Sequence, residues 1–262
     1  MILLLNILKS RPLFLAGCLA AAGYAQAGQQ ERFEMNIAPG GRAATVFAYV
    51  FDDRQETFRM AVRPEKENVT PMTLGTACKE AKALAGINGG FSDFQGEPLG
   101  LVMASGQKTG KVTLGSALTA GVVVCEGGVL SLRHSKDYEF SGTKATQLLQ
   151  TGPFLIDGSK SVADLQSSRY ARRSVILTDG AHKWAIAYFP SATLAGLSAA
   201  LETPGAFKPF TPKTALNLDG GESSGFWTLR PGGYELYLKE IAKVRDFLLI
   251  VPRPSSPQAS HH

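Results

Sequence analysis

Cysteine and histidine are scarce in this chain of 262 residues, which contains three cysteines and four histidines. No group of these residues has the spacing of a zinc site. A chain of this length that is 44% hydrophobic can bury a core that depends on neither metals nor disulfides. No cofactor is therefore expected, and the only metal site left open is a hard divalent cation held by Asp219, Glu222 and Asp93.

The chain also lacks any long apolar run. Its N-terminal apolar stretch, residues 12–23, is shorter than the roughly 20 residues that a membrane-spanning helix needs. Lys9 and Arg11 precede this stretch, and small residues at Ala25 and Ala27 follow it, as in a signal peptide that ends at residue 27. The sequence therefore predicts an exported protein, periplasmic or secreted, with no transmembrane segment after cleavage.

A lipid anchor is the alternative at the same end of the chain. Leu15-Ala16-Gly17-Cys18 resembles a bacterial lipobox, in which case Cys18 would carry the lipid and anchor the protein to the cell envelope. Few apolar residues separate Arg11 from Cys18, and this favours ordinary cleavage. Both alternatives take the protein out of the cytoplasm.

Runs of basic residues are absent as well. Removal of residues 1–27 takes away Lys9 and Arg11 and no acid, so the formal net charge falls from +5 to +3. A small excess spread along the chain does not indicate a nucleic-acid partner, and it is compatible with a small anionic substrate.

Cleavage after residue 27 leaves two cysteines, Cys78 and Cys125. In an oxidising compartment they can form a disulfide, or they can remain two buried thiols, and their spacing leaves both alternatives open. Neither cysteine has the basic neighbours or the paired histidine that a catalytic thiol needs.

Glycine is abundant, with 28 residues that mostly separate short apolar runs. This pattern is typical of strands and turns, and it predicts an α+β fold in one domain, residues 28–251, followed by a disordered tail at residues 252–262. The sheet is predicted to be mixed or mostly antiparallel, with two or three helices. The predicted elements are a hairpin at residues 44–51 and 57–62, helices at 73–84, 145–149 and 193–201, a hairpin at 175–178 and 184–189, and strands at 99–104, 120–125, 214–218 and 247–251.

Three apolar strands end abruptly in polar residues and glycines, and we call these the strand-end segments. They are Asn88-Gly89-Gly90, Gln150-Thr151-Gly152-Pro153 and Asp219-Gly220-Gly221. Glycines let a ligand approach main-chain N–H groups, and successive N–H groups form concavities that bind anions. Each segment by itself is also a common turn sequence. The occurrence of three such segments in one chain favours a shared site.

Residues 221–225, Gly-Glu-Ser-Ser-Gly, also fit the nucleophile elbow of serine hydrolases, with Ser223 as the nucleophile. That fold places its catalytic histidine after the serine. The only histidines after Ser223 are His261 and His262 in the predicted tail, so a serine hydrolase is the second hypothesis.

Taken together, five motifs resemble the phosphodiester glycosidase family, which includes the lysosomal uncovering enzyme and many exported bacterial proteins. They are Ile-Asn-Gly-Gly-Phe at residues 87–91, Pro-Leu-Gly-Leu-Val at 98–102, Thr-Gly-Pro at 151–153, Arg-Ser-Val-Ile at 173–176 and Leu-Asn-Leu-Asp-Gly-Gly-Glu-Ser-Ser at 216–224. Their order is that of the family. The resemblance implies an α+β fold and cleavage of the bond between an anomeric sugar carbon and a phosphodiester.

The resemblance also implies the site residues. Those that match the family's motifs are Asn88, Gly89, Gly90, Thr151, Gly152, Arg173, Asn217, Asp219, Gly220, Gly221 and Ser223. The chain departs from the family at Ser92, where a second Phe is frequent, and at residues 174–177, where Thr-Ala-Ile-Gly is usual. These departures lie beside the polar residues and put the specificity in doubt.

Glycosyl transfer passes through an oxocarbenium-like transition state and usually employs two carboxylates. Asp219 is the leading candidate for the base or stabilising carboxylate, with Glu222 as its partner, and Arg173 is the candidate phosphate clamp because its guanidinium binds two oxygens at once. The residues predicted to bind sugar hydroxyls or phosphate oxygens are Asn88, Asn217, Thr151 and Ser223. A protein that only binds a phosphoglycan without cleaving it is a further alternative.

Overall fold

The computed structural model describes residues 28–37, 43–63 and 72–254. The predicted signal peptide, the lipid anchor at Cys18 and residues 255–262 of the predicted tail lie outside this part and stay predictions. No helix in the described ranges is long and apolar enough to span a membrane.

Strands are the most abundant regular element of the described chain, and two α-helices accompany them. The helices are α1 (Leu74–Glu80) and α2 (Leu194–Glu202). The strands are β1 (Gln29–Asn36), β2 (Ala43–Asp52), β3 (Glu56–Val62), β4 (Ala85–Asn88), β5 (Val102–Ala104), β6 (Gln107–Thr109), β7 (Gly121–Glu126), β8 (Val129–His134), β9 (Ala145–Thr151), β10 (Phe154–Asp157), β11 (Lys160–Ser161), β12 (Ala171–Thr178), β13 (Lys183–Ala192), β14 (Thr214–Asn217), β15 (Phe226–Leu229), β16 (Glu235–Leu238) and β17 (Asp246–Pro252).

The strands form three sheets, and neighbouring strands within each sheet run antiparallel. The first sheet has the order β1-β2-β13-β12-β14-β10-β11, the second β16-β15-β4-β17-β3 and the third β6-β5-β9-β7-β8. β4, β9 and β14, which lead into the three strand-end segments, therefore belong to three different sheets. The segments can meet only because the sheets pack on one another.

One apolar cluster joins all three sheets. It includes Phe51 and Ile176 from the first sheet, Phe226 from the second and Val123 and Leu149 from the third, all nearly or fully buried. α2 covers the other face of the first sheet, where Leu197 and Leu201 are fully buried, and α1 covers the second sheet. Burial of these side chains stabilises the arrangement by roughly 1.5–3 kcal/mol each.

The predicted α+β class is wrong, because the structure is mostly β, with 46% of its residues in strands and 12% in helices. Residues 145–149 were predicted to be helical and instead begin β9. Leu148 and Leu149 are both fully buried, since β9 pairs with β5 on one side and β7 on the other. Tertiary pairing thus overrides the helical preference of this segment.

The predictions for local elements had mixed outcomes. The helices at α1 and α2 are confirmed, and Thr73 and Thr193 cap them by accepting hydrogen bonds from Thr76 N and Gly196 N. The hairpin of β12 and β13 is confirmed, with Gly180 at φ 77° in its turn. The first predicted hairpin is wrong, because β2 pairs with β1 and β13 while β3 pairs with β17 in another sheet.

The two cysteines in the described ranges are free thiols, so of the two alternatives that the sequence left open the structure has the buried thiols and not the disulfide. Cys125 lies in the core between the sheets, whereas Cys78 lies on α1 beneath the second sheet. The Cys78 Sγ packs where a side chain at Gly86 would otherwise lie, and burial raises the pKa of this thiol. Both cysteines therefore behave as small buried apolar residues.

Candidate active site

Asn88, the last residue of β4, connects the sheets at the point where the strand-end segments meet. Its Nδ2 donates to the carbonyl of Asp219 over 2.8 Å. Its Oδ1 accepts from Ser174 Oγ at 2.6 Å and from Gly225 N at 3.2 Å. Asn88 is fully buried, and its amide bonds to other groups of the protein. The sequence had assigned this amide to substrate binding.

The segment after β9 joins the same region through Asn217. Thr151 Oγ1 donates to the Asn217 carbonyl over 3.3 Å, and Asn217 Nδ2 donates to the Gly152 carbonyl over 3.1 Å. Thr151 is fully buried, and a side chain at position 152 would overlap the carbonyl of Ala117. Asn217 Oδ1 is buried and accepts no hydrogen bond from the described residues. Thr151 and Gly152 thus hold β9 against β14.

Asp219 follows β14 and remains partly exposed. Its backbone N donates to the Gly89 carbonyl over 3.0 Å, which joins two strand-end segments directly. Its Oδ1 accepts from Gly220 N at 2.7 Å, and the Ser223 hydroxyl also bonds to the carboxylate. Burial raises the pKa of Asp219, opposed by these two hydrogen bonds and by the positive charge of Arg169. A carboxyl with a raised pKa is a stronger base than an ordinary aspartate, which suits it to general-base catalysis.

Asp246, the first residue of β17, is a second carboxyl at this site that the sequence reasoning missed. It is fully buried, its Oδ1 accepts from Gly90 N at 2.9 Å, and its carbonyl accepts from Gly89 N at 2.8 Å. Burial, together with the nearby charge of Asp219, raises the pKa of Asp246 to about 7 against the opposing effects of the Gly90 hydrogen bond and Arg245. Asp246 Oδ2 has no partner among the described residues.

A sequence signal for Asp246 existed. The acid opens the run Asp-Phe-Leu-Leu-Ile-Val at residues 246–251, and an acid at the start of a buried strand is rarely left without a role. The strand predicted from the sequence begins at Phe247, one residue after Asp246, and therefore leaves this acid out. A side chain at Gly89 would overlap Asp246 Oδ1, which explains the glycine at that position.

Arg173, on β12, lies beside the turn that carries Asp219. Its Nε donates to the Ala192 carbonyl and its Nη2 to the Arg169 carbonyl, each over 3.0 Å. Its Nη1 lies 3.5 Å from where a side chain at Gly220 would begin. Arg173 is only 9% exposed, yet it makes no ion pair within the described ranges. Burial, and then the charge of Arg169, lower its pKa.

Two further arginines surround the same turn. Arg172 Nε donates to the Gly221 carbonyl over 2.7 Å, and Arg169 is exposed and close enough to attract Asp219. Gly221 has φ 65°, and a side chain there would meet no atom within 4 Å, so this backbone faces open space. Three cationic side chains therefore flank a glycine turn that a ligand can approach.

Glu222 and Ser223 form a short 3₁₀ turn after the glycines. The Glu222 side chain is exposed, while its carbonyl accepts hydrogen bonds from Ile241 N and Ala242 N. Ser223 is half-buried and contacts Asp219. The turn leads into strand β15, not into the helix that follows a nucleophile elbow.

The histidines of the described chain do not complete a serine triad. His134 bonds to Asp157 at 2.9 Å and His182 bonds to Asp53 at 2.8 Å. His182 lies in the β12–β13 turn, at the opposite end of β12 from Arg173. Ser223 therefore has no histidine partner in this part of the chain.

The predicted cation ligands are not brought together. Asp93 Oδ1 accepts from Gln95 N and Glu97 N within its own loop. Within the described ranges, the one group of three residues with ligand atoms close enough for a metal consists of Asp52, Asp53 and His182, away from the strand-end segments. Asp52 in that group already pairs with Arg54.

Residues 81–251 match the family model described as phosphodiester glycosidase, and this range contains every site residue discussed above. The chain belongs to the phosphodiester glycosidase family. No curated protein sequence matches it.

Solved structures agree on the fold. The catalytic domain of zebrafish N-acetylglucosamine-1-phosphodiester alpha-N-acetylglucosaminidase, auto-inhibited by its pro-peptide, is 15% identical with a TM-score of 0.62 over 88% of this chain and 85% of that one. A hypothetical protein from Synechocystis is 15% identical with a TM-score of 0.57, over 87% of this chain and 62% of its own. At these identities the likeness concerns the fold alone.

Proposed function

We propose that this member of the phosphodiester glycosidase family hydrolyses the bond between a sugar anomeric carbon and a phosphodiester at the turn of residues 219–221. The observation that carries the proposal is Arg173, a buried guanidinium with no carboxylate partner in the described ranges. A buried charge without a counter-ion is costly, and an anionic ligand would remove that cost.

The surroundings of Arg173 suit a phosphodiester. Two of its N–H groups hold the carbonyls of Ala192 and Arg169, which fixes the plane of the guanidinium before a ligand arrives. The remaining donors are in the fork geometry that binds two phosphate oxygens. Arg169 and Arg172 add positive charge, and the open backbone at Gly221 gives the ligand access.

Asp219 is the proposed reacting carboxylate. It adjoins the arginines, is partly exposed, and has a pKa raised by burial, so it can take a proton from an attacking water or stabilise an oxocarbenium-like carbon. The phosphodiester leaves as a phosphate monoester, a weak base that needs little protonation, so one well-placed carboxylate is the principal requirement. Glu222 is the proposed partner because its side chain is exposed beside the same turn.

Asp246 is a positioning residue in this scheme. It is sealed from solvent and acts through Gly89 and Gly90, whose backbone groups it holds. The negative charge of Asp219 raises the pKa of Asp246 because like charges repel. We place the substrate among envelope or glycan phosphosugars, in keeping with the predicted export.

The test is an assay of the chain from residue 28 onward against p-nitrophenyl-phospho-sugars and UDP-sugars, with release of free sugar as the readout. Release of sugar with multiple turnovers is the expected result. Saturable binding of these compounds without release would instead identify a phosphoglycan-binding protein. Covalent labelling of Ser223 by a fluorophosphonate would restore the serine-hydrolase hypothesis.

A further inference from the structure

Glu56, the first residue of β3, is a buried carboxylate that the proposed chemistry does not use. It is 2% exposed, and its Oε1 accepts from Gly28 N at 2.6 Å and from Tyr49 Oη at 3.2 Å. Its Oε2 is buried without a hydrogen-bond partner in the described part of the chain. A buried carboxylate oxygen without a hydrogen-bond donor destabilises the folded state.

Gly28 fits against this carboxylate only because it has no side chain. A Cβ at position 28 would lie 2.5 Å from the Val50 carbonyl oxygen, 2.7 Å from Glu56 Oε2 and 2.8 Å from Tyr49 Cε1. The Gly28 nitrogen thus lies 2.6 Å from Oε1, and Oε2 lies beside the same residue. As a peptide nitrogen, however, it supplies one N–H donor and no charge.

The sequence places the predicted cleavage at this same nitrogen, since residue 27 ends the predicted signal peptide. We propose that a signal peptidase hydrolyses the Ala27–Gly28 bond, and that the α-ammonium so formed pairs with Glu56 and fixes the start of β1 in the mature protein. The reaction consumes one water: its oxygen joins the Ala27 carbonyl carbon, and the Gly28 nitrogen gains a hydrogen and then binds a proton at neutral pH.

The α-ammonium of the mature terminus can supply Glu56 with the counter-charge and the additional hydrogen-bond donors that the uncleaved peptide nitrogen cannot supply. An ammonium has three donors, enough for Oε1 and Oε2 together, and it supplies the positive charge that Glu56 lacks. The other groups near Glu56 do not neutralise its charge, because Asp52 adds a second negative charge and the Tyr49 phenol is neutral. Burial already raises the pKa of Glu56 when only neutral donors contact it.

The experiment compares two forms of the chain, one beginning at Gly28 and one beginning at Ala27. They have the same net charge and differ by a single alanine, so the position of the ammonium is the main variable. We expect the melting temperature of the Gly28 form to be higher by about 3 °C or more at pH 7.

The pH dependence has a definite sign. Pairing raises the pKa of the Gly28 amine above its usual range of about 7.7–8.0, so its contribution is present below that range and disappears as the pH rises through the raised value. Protonation of Glu56 removes the pair at acid pH. The difference between the two forms should therefore be greatest near neutrality and shrink in both directions.

Glu56→Gln in both forms is the control, because it keeps the shape and removes the charge. The difference between the forms should nearly vanish in this variant. Equal melting temperatures of the original forms at every pH, or a difference that persists unchanged in Glu56→Gln, would overturn the proposal.

Two measurements remain decisive if Glu56→Gln does not fold. The first is the rate at which an acylating reagent modifies the Gly28 amine across pH, which should report a raised pKa; an ordinary pKa contradicts the ion pair. The second is N-terminal sequencing of the exported protein. A mature terminus at Cys18, or anywhere other than Gly28, also overturns the proposal.

Discussion

Asp219 and Arg173 are adjacent to the same glycine turn, but their charges have different partners. Asp219 has hydrogen-bond donors from Gly220 and Ser223 and the attraction of Arg169, while Arg173 has carbonyl acceptors and, within the described ranges, no carboxylate partner. This asymmetry is the reason why we propose chemistry for Asp219 and anion binding for Arg173.

Asp219→Asn tests the chemistry. The amide keeps the shape and can still accept from Gly220 N, so we expect turnover of a sugar phosphodiester to fall at least about 100-fold with little change in melting temperature. Asp157→Asn, at an exposed carboxylate that pairs with His134, is the matched control and should leave turnover unchanged. Full activity of the Asp219 variant would remove this residue from the mechanism.

Arg173→Ala tests the phosphate clamp. Loss of charge-assisted hydrogen bonds worth about 1.5–3 kcal/mol should raise KM roughly 10- to 100-fold. Arg173→Lys should recover part of the affinity, since it restores a charge without the bidentate fork. Arg133→Ala, at an exposed arginine on β8, is the control; an unchanged KM in Arg173→Ala would contradict a phosphate role.

At the scale of elements, the site depends on strand ends that approach one another without side chains between them. β4 ends at Asn88 and is followed by Gly89, where Asp246 on the neighbouring β17 occupies the space that a Cβ would need. Gly89 is thus required by packing, in addition to any access that it gives a ligand.

Gly89→Ala should accordingly destabilise the protein by about 1–3 kcal/mol or more, because the new methyl group overlaps Asp246 Oδ1. Thermal unfolding measures the effect. Gly142→Ala is the control, since a Cβ there has only an ordinary contact of 3.9 Å with Glu139. The double variant Gly89→Ala with Asp246→Ala should lose less stability than the two single changes predict together; strict additivity would contradict the overlap.

At the scale of the whole molecule, three antiparallel sheets share one core and bring distant residues into a single site. Asn88 donates a hydrogen bond to Asp219 and accepts one from Gly225, and Gly90 donates one to Asp246. Because the sheets hold Asp246 away from water, its titration is coupled to global stability.

The stability of the protein should therefore fall as the pH rises from about 4 to 7. Asp246 has a folded pKa of about 7, so over this range the folded state retains a proton that the unfolded state has released. The contribution is up to about 4 kcal/mol. Asp246→Asn should flatten the dependence of the melting temperature on pH, and an identical slope in the variant would show that Asp246 is not responsible.

The local sequence determined several elements and turns of the fold. The capped helix α2, the β12–β13 hairpin with its Asp-Gly turn, and the strand-end glycines all follow from short-range patterns. The motifs also selected Asp219 and Arg173 as neighbours of one site, which the structure brings to the same turn.

Long-range pairing decided the rest. Residues 145–149 became a strand because β5 and β7 flank them, and β2 and β3 separated because β2 pairs with β13 while β3 pairs with β17 in another sheet. Asp246 could join the site only because β17 lies beside β4, more than 150 positions away in sequence. The turns and the candidate residues therefore follow from the local sequence. Strand pairing and sheet packing depend on the complete fold, because they join segments that are far apart in the chain. They decide which carboxyl groups are buried and so raise the pKa of Asp219 and Asp246.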